Sequence, residues 1–212
     1  MKTTYSMIVL LFVIFLSGCA AMQLAGDVNS GRRAFIIGKN EEAVAYFRSA
    51  AEKNPNYFYG TPLRQGIWSY VGRTEYALGR LPQAREALER ALATNKQEDI
   101  ARLYLGLTLA RQGERQLGLK EIEGGLAGIH GWLEYITQAH RFSFGQFWDP
   151  SREIRSTIES DLAMISGKDI EWQRLIGNGE WLGKRIEEES DFARLQESRE
   201  WSRESEGSSD EP

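Results

Sequence analysis

The side chains that most often do chemistry are few and scattered in this chain. His130 and His140 stand ten residues apart with no acid–histidine motif beside them, which suits surface or packing imidazoles better than ligands. Cys19 is the single cysteine, so neither an intrachain disulfide nor a cysteine metal site is possible. Gly124-Gly125 lacks the lysine–serine context of a phosphate-cradling loop. Glu187-Glu188-Glu189 reads as a charged helix face rather than a carboxylate pair set for acid–base work. No serine sits in a nucleophile elbow. The expectation is therefore a protein without catalytic residues, cofactor or metal. The formal charge of −4 and the want of a basic stripe interleaved with aromatics argue against a nucleic-acid partner. What remains is recognition, and the elements that would carry it are helical.

Trp68 to Leu126 reads as two copies of one helical hairpin. Gly106, Gly113, Gly118, Ile122 and Gly125 lie 34 residues beyond Gly72, Gly79, Ala84, Leu88 and Ala91. Antiparallel helices approach closely only where the facing residue is small, and a glycine between them permits a tight turn. Upstream, Gly31, Gly38, Ala43, Phe47, Ala50 and Pro55 fit the same template, but Gly38 and Gly79 are 41 residues apart. The seven extra residues fall at Asn56 to Pro62, bracketed by prolines that suit no helix interior. A fixed period of this size marks a stacked helical array. The pattern resembles the tetratricopeptide repeat family, and the resemblance implies an all-α fold of about three hairpins over residues 19–126, with a C-terminal helical extension. Within the insertion, Tyr57, Phe58 and Tyr59 read either as a ligand-touching loop or as rings that plug the gap, and the burial habit of aromatics favours the plug.

Residues 1–18 read as an address. Lys2 supplies a charge, and Met7 to Leu16 is an apolar run shorter than the ~20 residues that span a bilayer. Leu16-Ser17-Gly18-Cys19 resembles the lipobox of bacterial lipoproteins, which implies cleavage before Cys19 and acylation of its thiol. Ala20 after the cysteine implies, by the same resemblance, a lipid-anchored protein of the outer membrane that faces the periplasm.

In tetratricopeptide repeat proteins the first helix of each hairpin lines a groove that holds a partner's segment. The rows of this chain that match are Asn29 and Arg32, then Tyr70, Arg73 and Tyr76, then Tyr104 and Arg111. Tyrosine and arginine dominate interface hot spots, although each tyrosine could equally pack on neighbouring helices. The carboxylate clamp of some relatives is not matched, since Val28, Arg32, Tyr70, Ile100 and Tyr104 occupy its rows.

Beyond Leu126 the period fails. Trp132 to Ile136 suggests a short closing helix, because arrays need an atypical terminal element. Phe142 to Trp148 carries four aromatics, read as a membrane- or partner-contacting loop or, preferably, a capping plug. Asp149-Pro150 predicts a helix N-terminus and Gly167 its end. Trp172 to Ile186 forms a second stripe around Gly177-Asn178-Gly179, which is either a break or a place of close helix packing. The extension is placed at residues 127–196, and residues 197–212 read as a frayed helix end running into a disordered acidic tail. Together these features predict a lipid-anchored scaffold or adaptor that binds envelope proteins. The alternative is a glycan or small-molecule binder using the aromatics of residues 142–148.

Overall fold

The computed structural model describes residues 23–207, so the signal segment and Cys19 lie outside the described residues. Helices α1 (23–36), α2 (Asn40–Lys53), α3 (Ile67–Ala77) and α4 (Leu81–Thr94) form the first part. Helices α5 (Asp99–Arg111), α6 (Arg115–Ala139), α7 (Glu153–Ser166) and α8 (Trp172–Gly207) form the second. Strands β1 (Phe58–Tyr59) and β2 (Gln65–Gly66) lie between α2 and α3, and the fold is all-α apart from this short ribbon. The chain divides into two compact units between Thr94 and Asn95.

Each hairpin turn is built the same way. Gly38, Gly79 and Gly113 hold positive φ angles of 80°, 73° and 94°. In each turn the glycine N–H and the one after it fold back on the preceding helix: Lys39 N donates to Ala34 O, Arg80 N to Glu75 O and Glu114 N to Leu109 O, at 2.8, 2.9 and 2.9 Å. This is a Schellman closure, which satisfies carbonyls that a helix end leaves orphaned. The sequence period therefore records a backbone requirement.

In the first unit, α1 pairs with α2 and α3 with α4. Ala43, Phe47 and Ala50 of α2 are fully buried, and the Phe47 ring stacks on Tyr70 of α3 at 4.9 Å. Helix α3 is buried nearly all round, which suits the middle element of a stack better than a one-faced surface helix. Two of its buried residues are charged. Glu75 accepts from Arg48 Nη2 of α2 at 2.6 Å, with Arg80 Nη1 at 3.6 Å from its other oxygen. The inserted segment forms the β1–β2 ribbon, with Phe58 opposite Gly66 and Tyr59 opposite Gln65.

In the second unit, α5 is likewise buried along most of its length. Its partner α6 runs 25 residues without interruption, so the boundary expected at Leu126 falls inside a helix. Trp132 to Ile136 is thus the last part of α6, not a separate closing helix. The next helix also starts later than the sequence suggests. Asp149 lies at φ 44°, and α7 begins at Glu153, yet the Asp149 carboxylate still accepts from Ile154 N at 2.9 Å and Arg155 N at 3.1 Å. Arg155 binds that carboxylate at 2.9 Å and Glu134 of α6 at 2.9 Å, tying three segments together. At the other end Lys168, not Gly167, takes the left-handed conformation, at φ 62°. Helix α8 passes straight through Gly177-Asn178-Gly179 and continues to Gly207. Residues 197–207 are therefore helical, and only 208–212 of the expected tail fall outside the described residues.

Helices α5 and α6 approach closely in the second unit. A Cβ on Gly106 would meet Ile122 N at 2.5 Å and Gly118 O at 2.7 Å, both backbone atoms. Gly131, exposed on α6, would meet nothing within 4 Å. Gly106→Ala is expected to destabilise the protein by roughly 1–3 kcal/mol through overpacking. Gly131→Ala should stabilise it by about 1 kcal/mol through helix propensity. Thermal melts of the two variants check both signs.

Candidate recognition surfaces

The rows predicted to face a partner are largely taken into the chain's own packing. In the first unit the β1–β2 ribbon occupies them. Tyr59 of β1 donates from its hydroxyl to Asn29 Oδ1 at 3.0 Å and receives Arg32 Nη1 at 3.2 Å, while the Arg32 guanidinium lies over its ring at 4.8 Å. The same ring meets Tyr70 edge-on at 6.4 Å. From β2, Gln65 Oε1 accepts Arg73 Nη1 at 2.6 Å, and Phe35 of α1 lies beneath that guanidinium at 5.2 Å. Arg32, Tyr70, Arg73 and Tyr76 are all buried, and only Asn29 of this set is exposed. The inserted aromatics divide their work: Tyr57 and Tyr59 pack on the core, while Phe58 lies under Arg64.

In the second unit the cover is helix α8. A Cβ on Gly183 would lie 2.1 Å from the Tyr104 hydroxyl, and one on Gly179 would lie 2.9 Å from Leu107. Glycine is a poor residue for a helix interior; here it lets α8 lie directly on α5. Tyr104 is buried as a result. Arg111 stays at the margin, 40% exposed, with Glu180 of α8 at 3.8 Å. Asn178 between the two glycines donates to Asp161 of α7 at 2.8 Å, which fixes the rotation of α8 about its axis.

The aromatic segment after α6 is similarly split. Trp148 is 1% exposed and meets Trp132 edge-on at 4.9 Å, so it offers no open face for a sugar ring. Phe142 and Tyr135 remain exposed. The two histidines serve packing and pairing: His130 Nε2 is 3.0 Å from Glu159, and His140 stacks on Phe144 at 4.3 Å.

One surface that stays open in the first unit lies elsewhere. A cleft of about 330 Å³ runs between α2 and α4, floored by Trp68 and Val71 of α3. Arg48 and Glu52 form one wall, Gln83, Glu86 and Arg90 the other. Trp68 is half-buried, and the Arg90 guanidinium lies 4.8 Å over its ring while pairing with Glu86 at 2.7 Å. An apolar floor with charged walls suits one large side chain of a partner segment, held by polar contacts at the rim. Sequence reasoning passed over this cleft because it gave Trp68 only a role in the repeat pattern. The signal was there: a tryptophan in the first turn of α3, with Arg90 on the second helix of the same hairpin.

Among the described residues no group of three or more His, Cys, Asp or Glu side chains is placed to hold a metal. No described helix is long and apolar enough to cross a membrane.

Two stability measurements follow. Arg73→Ala removes a fully buried guanidinium and its hydrogen bond to Gln65 Oε1, so a loss of about 2 kcal/mol or more is expected in chemical denaturation. The second concerns Glu189 of α8, whose carboxyl burial pushes above the ordinary glutamate value although Arg185 draws it down. A carboxyl raised on folding costs stability above its folded value, and the cost fades as pH falls and is gone below the unfolded value. Glu189→Gln should raise Tm at neutral pH, and the gain should shrink as pH drops through the carboxylate range. An equal gain at all pH values would contradict this.

A tetratricopeptide repeat family model matches residues 72–120, from within α3 to the first turns of α6. Neither the curated proteins nor the solved structures contain a match to the chain.

Proposed function

We propose that the chain, whose residues 72–120 match a tetratricopeptide repeat family model, is a lipid-anchored scaffold that holds envelope proteins together. Tetratricopeptide repeats generally serve protein–protein interaction without catalysis, and the chemistry-poor composition fits such a role. The finer reading is that Cys19 is acylated, that the protein resides at the outer membrane and faces the periplasm, and that its partners belong to an envelope assembly. The lipobox-like Leu16-Ser17-Gly18-Cys19 supports the anchor. Confinement to a membrane raises the effective concentration of the scaffold near its partners, so modest contacts suffice.

The single observation that carries the recognition reading is the open α2–α4 cleft floored by Trp68. The inner-row residues Arg32, Tyr70, Arg73, Tyr76 and Tyr104 are engaged inside the protein, so on this reading they shape the array and contact a partner only if the ribbon or α8 is displaced. Asn29, which accepts from Tyr59, and Arg111, beside Glu180, lie exposed at the margins of that packing.

In-cell crosslinking followed by mass spectrometry tests the proposal. Gln83→Trp with Arg90→Glu alters two exposed wall residues and should leave the fold intact. The expected result is one dominant envelope complex with the native chain, reduced several-fold in the double variant. An unchanged complex would remove the cleft as the contact, and the absence of any crosslinked protein would remove the scaffold reading.

A further inference from the structure

Residues 135–148 differ in character from the rest of the chain. They hold five aromatic rings, Arg141 and His140, and no acidic residue, in a chain with 30 acids and a net charge of −4. The structure brings them to the corner where α6 ends and a 3-10 turn at Phe144–Phe147 begins. Phe142 is 84% exposed and Tyr135 63% exposed. These rings are held in place. Tyr135 meets His140 edge-on at 6.0 Å, His140 stacks on Phe144 at 4.3 Å, and the Arg141 guanidinium lies 4.5 Å from the Phe142 ring centre. Trp148, buried against Trp132, anchors the far end of the turn.

The two acids nearest this corner in sequence are both paired. Glu134 is bound by Arg155 at 2.9 Å and by Gln138 at 2.9 Å, and Asp149 is buried on Arg155. The exposed side chains of residues 135–148 therefore include aromatic rings and a guanidinium and no carboxylate of their own. Large aromatic rings left exposed at one corner, beside a guanidinium, suit a contact surface. Tyrosine and phenylalanine rings beside a guanidinium suit the boundary between headgroups and acyl chains, where the ring body enters the apolar layer and the cation meets lipid phosphate.

We propose that the Tyr135–Phe142 corner rests in the headgroup layer of an anionic bilayer leaflet and serves as a second membrane contact. The inference rests on the lipid-anchor reading, since so small a patch contributes chiefly when the chain is already held at a bilayer. On that reading the acyl chains on Cys19 hold the protein at the bilayer, and the corner sets which surface lies against the headgroups.

The test uses the full acylated chain with Ser143→Cys, which supplies the only thiol when Cys19 is acylated. An environment-sensitive NBD probe is attached there, and the protein is reconstituted in vesicles of phosphatidylcholine alone or with phosphatidylglycerol. The expected result is a blue shift, with quenching by spin-labelled lipid, that grows with phosphatidylglycerol and is lost in Phe142→Ser with Arg141→Glu. Aqueous emission in both vesicle types would overturn the proposal. So would a blue shift that depends on protein concentration and not on anionic lipid, which would assign the corner to a second copy or a protein partner. Mass spectrometry of Cys19 reports the anchor separately. Unmodified Cys19 would overturn the anchor reading and this proposal with it, whereas aqueous emission with Cys19 acylated would overturn the corner alone.

Discussion

Within each hairpin, the first helix must lie so close to the second that almost no side chain fits between them. This constraint sets most of the structure. Gly31 faces Phe47, Gly72 faces Leu88 and Gly106 faces Ile122, and in all three a Cβ would come within 2.7 Å of its neighbour. Such closeness leaves the first helices α3 and α5 covered on the hairpin side, and the residues that would otherwise face a groove are then covered on the other. Burial on both sides demands that any polar group on these helices find a partner inside. Arg73 finds Gln65, and Glu75 finds Arg48, which leaves the outer end of Arg48 to line the α2–α4 cleft.

The two units meet this demand by different means. In the first, the seven residues inserted between repeats supply β1, which pairs with β2 so that Tyr59 and Gln65 reach the row of arginines and tyrosines. In the second, the C-terminal extension supplies α8, with glycines four residues apart placed against Tyr104 and Leu107. Both devices turn hot-spot side chains into structural ones. A tyrosine or arginine has the same virtues for either purpose: large apolar area and directional hydrogen bonds. Residue type alone does not say which use prevails.

That ambiguity explains what was legible in the sequence. The hairpins were legible because Gly38, Gly79 and Gly113 must adopt left-handed backbone, and the facing small residues must stay small. These are local demands that leave a mark at fixed spacing. The fate of Tyr70, Arg73 and Tyr104 was not legible, because it depends on contacts from segments as far apart as Tyr59 and Gly183. The start of α7 was missed for a related reason. Asp149 and Pro150 look like a cap and a first helical residue, but the carboxylate reaches Ile154 from a left-handed turn. The continuity of α8 through Gly177-Asn178-Gly179 went against local propensity, and packing on α5 through Gly179 with the Asn178–Asp161 bond accounts for it.

The account stands on the claim that the inner rows are occupied from within. Oxidative footprinting of the native protein by mass spectrometry reads this directly, with no substitution to disturb the packing. Tyr70, Tyr76 and Tyr104 should be strongly protected, Trp68 modified at an intermediate rate, and Tyr135 and Phe142 modified fastest. Oxidation of Tyr70 and Tyr104 as fast as Tyr135 would show an open groove and contradict the account.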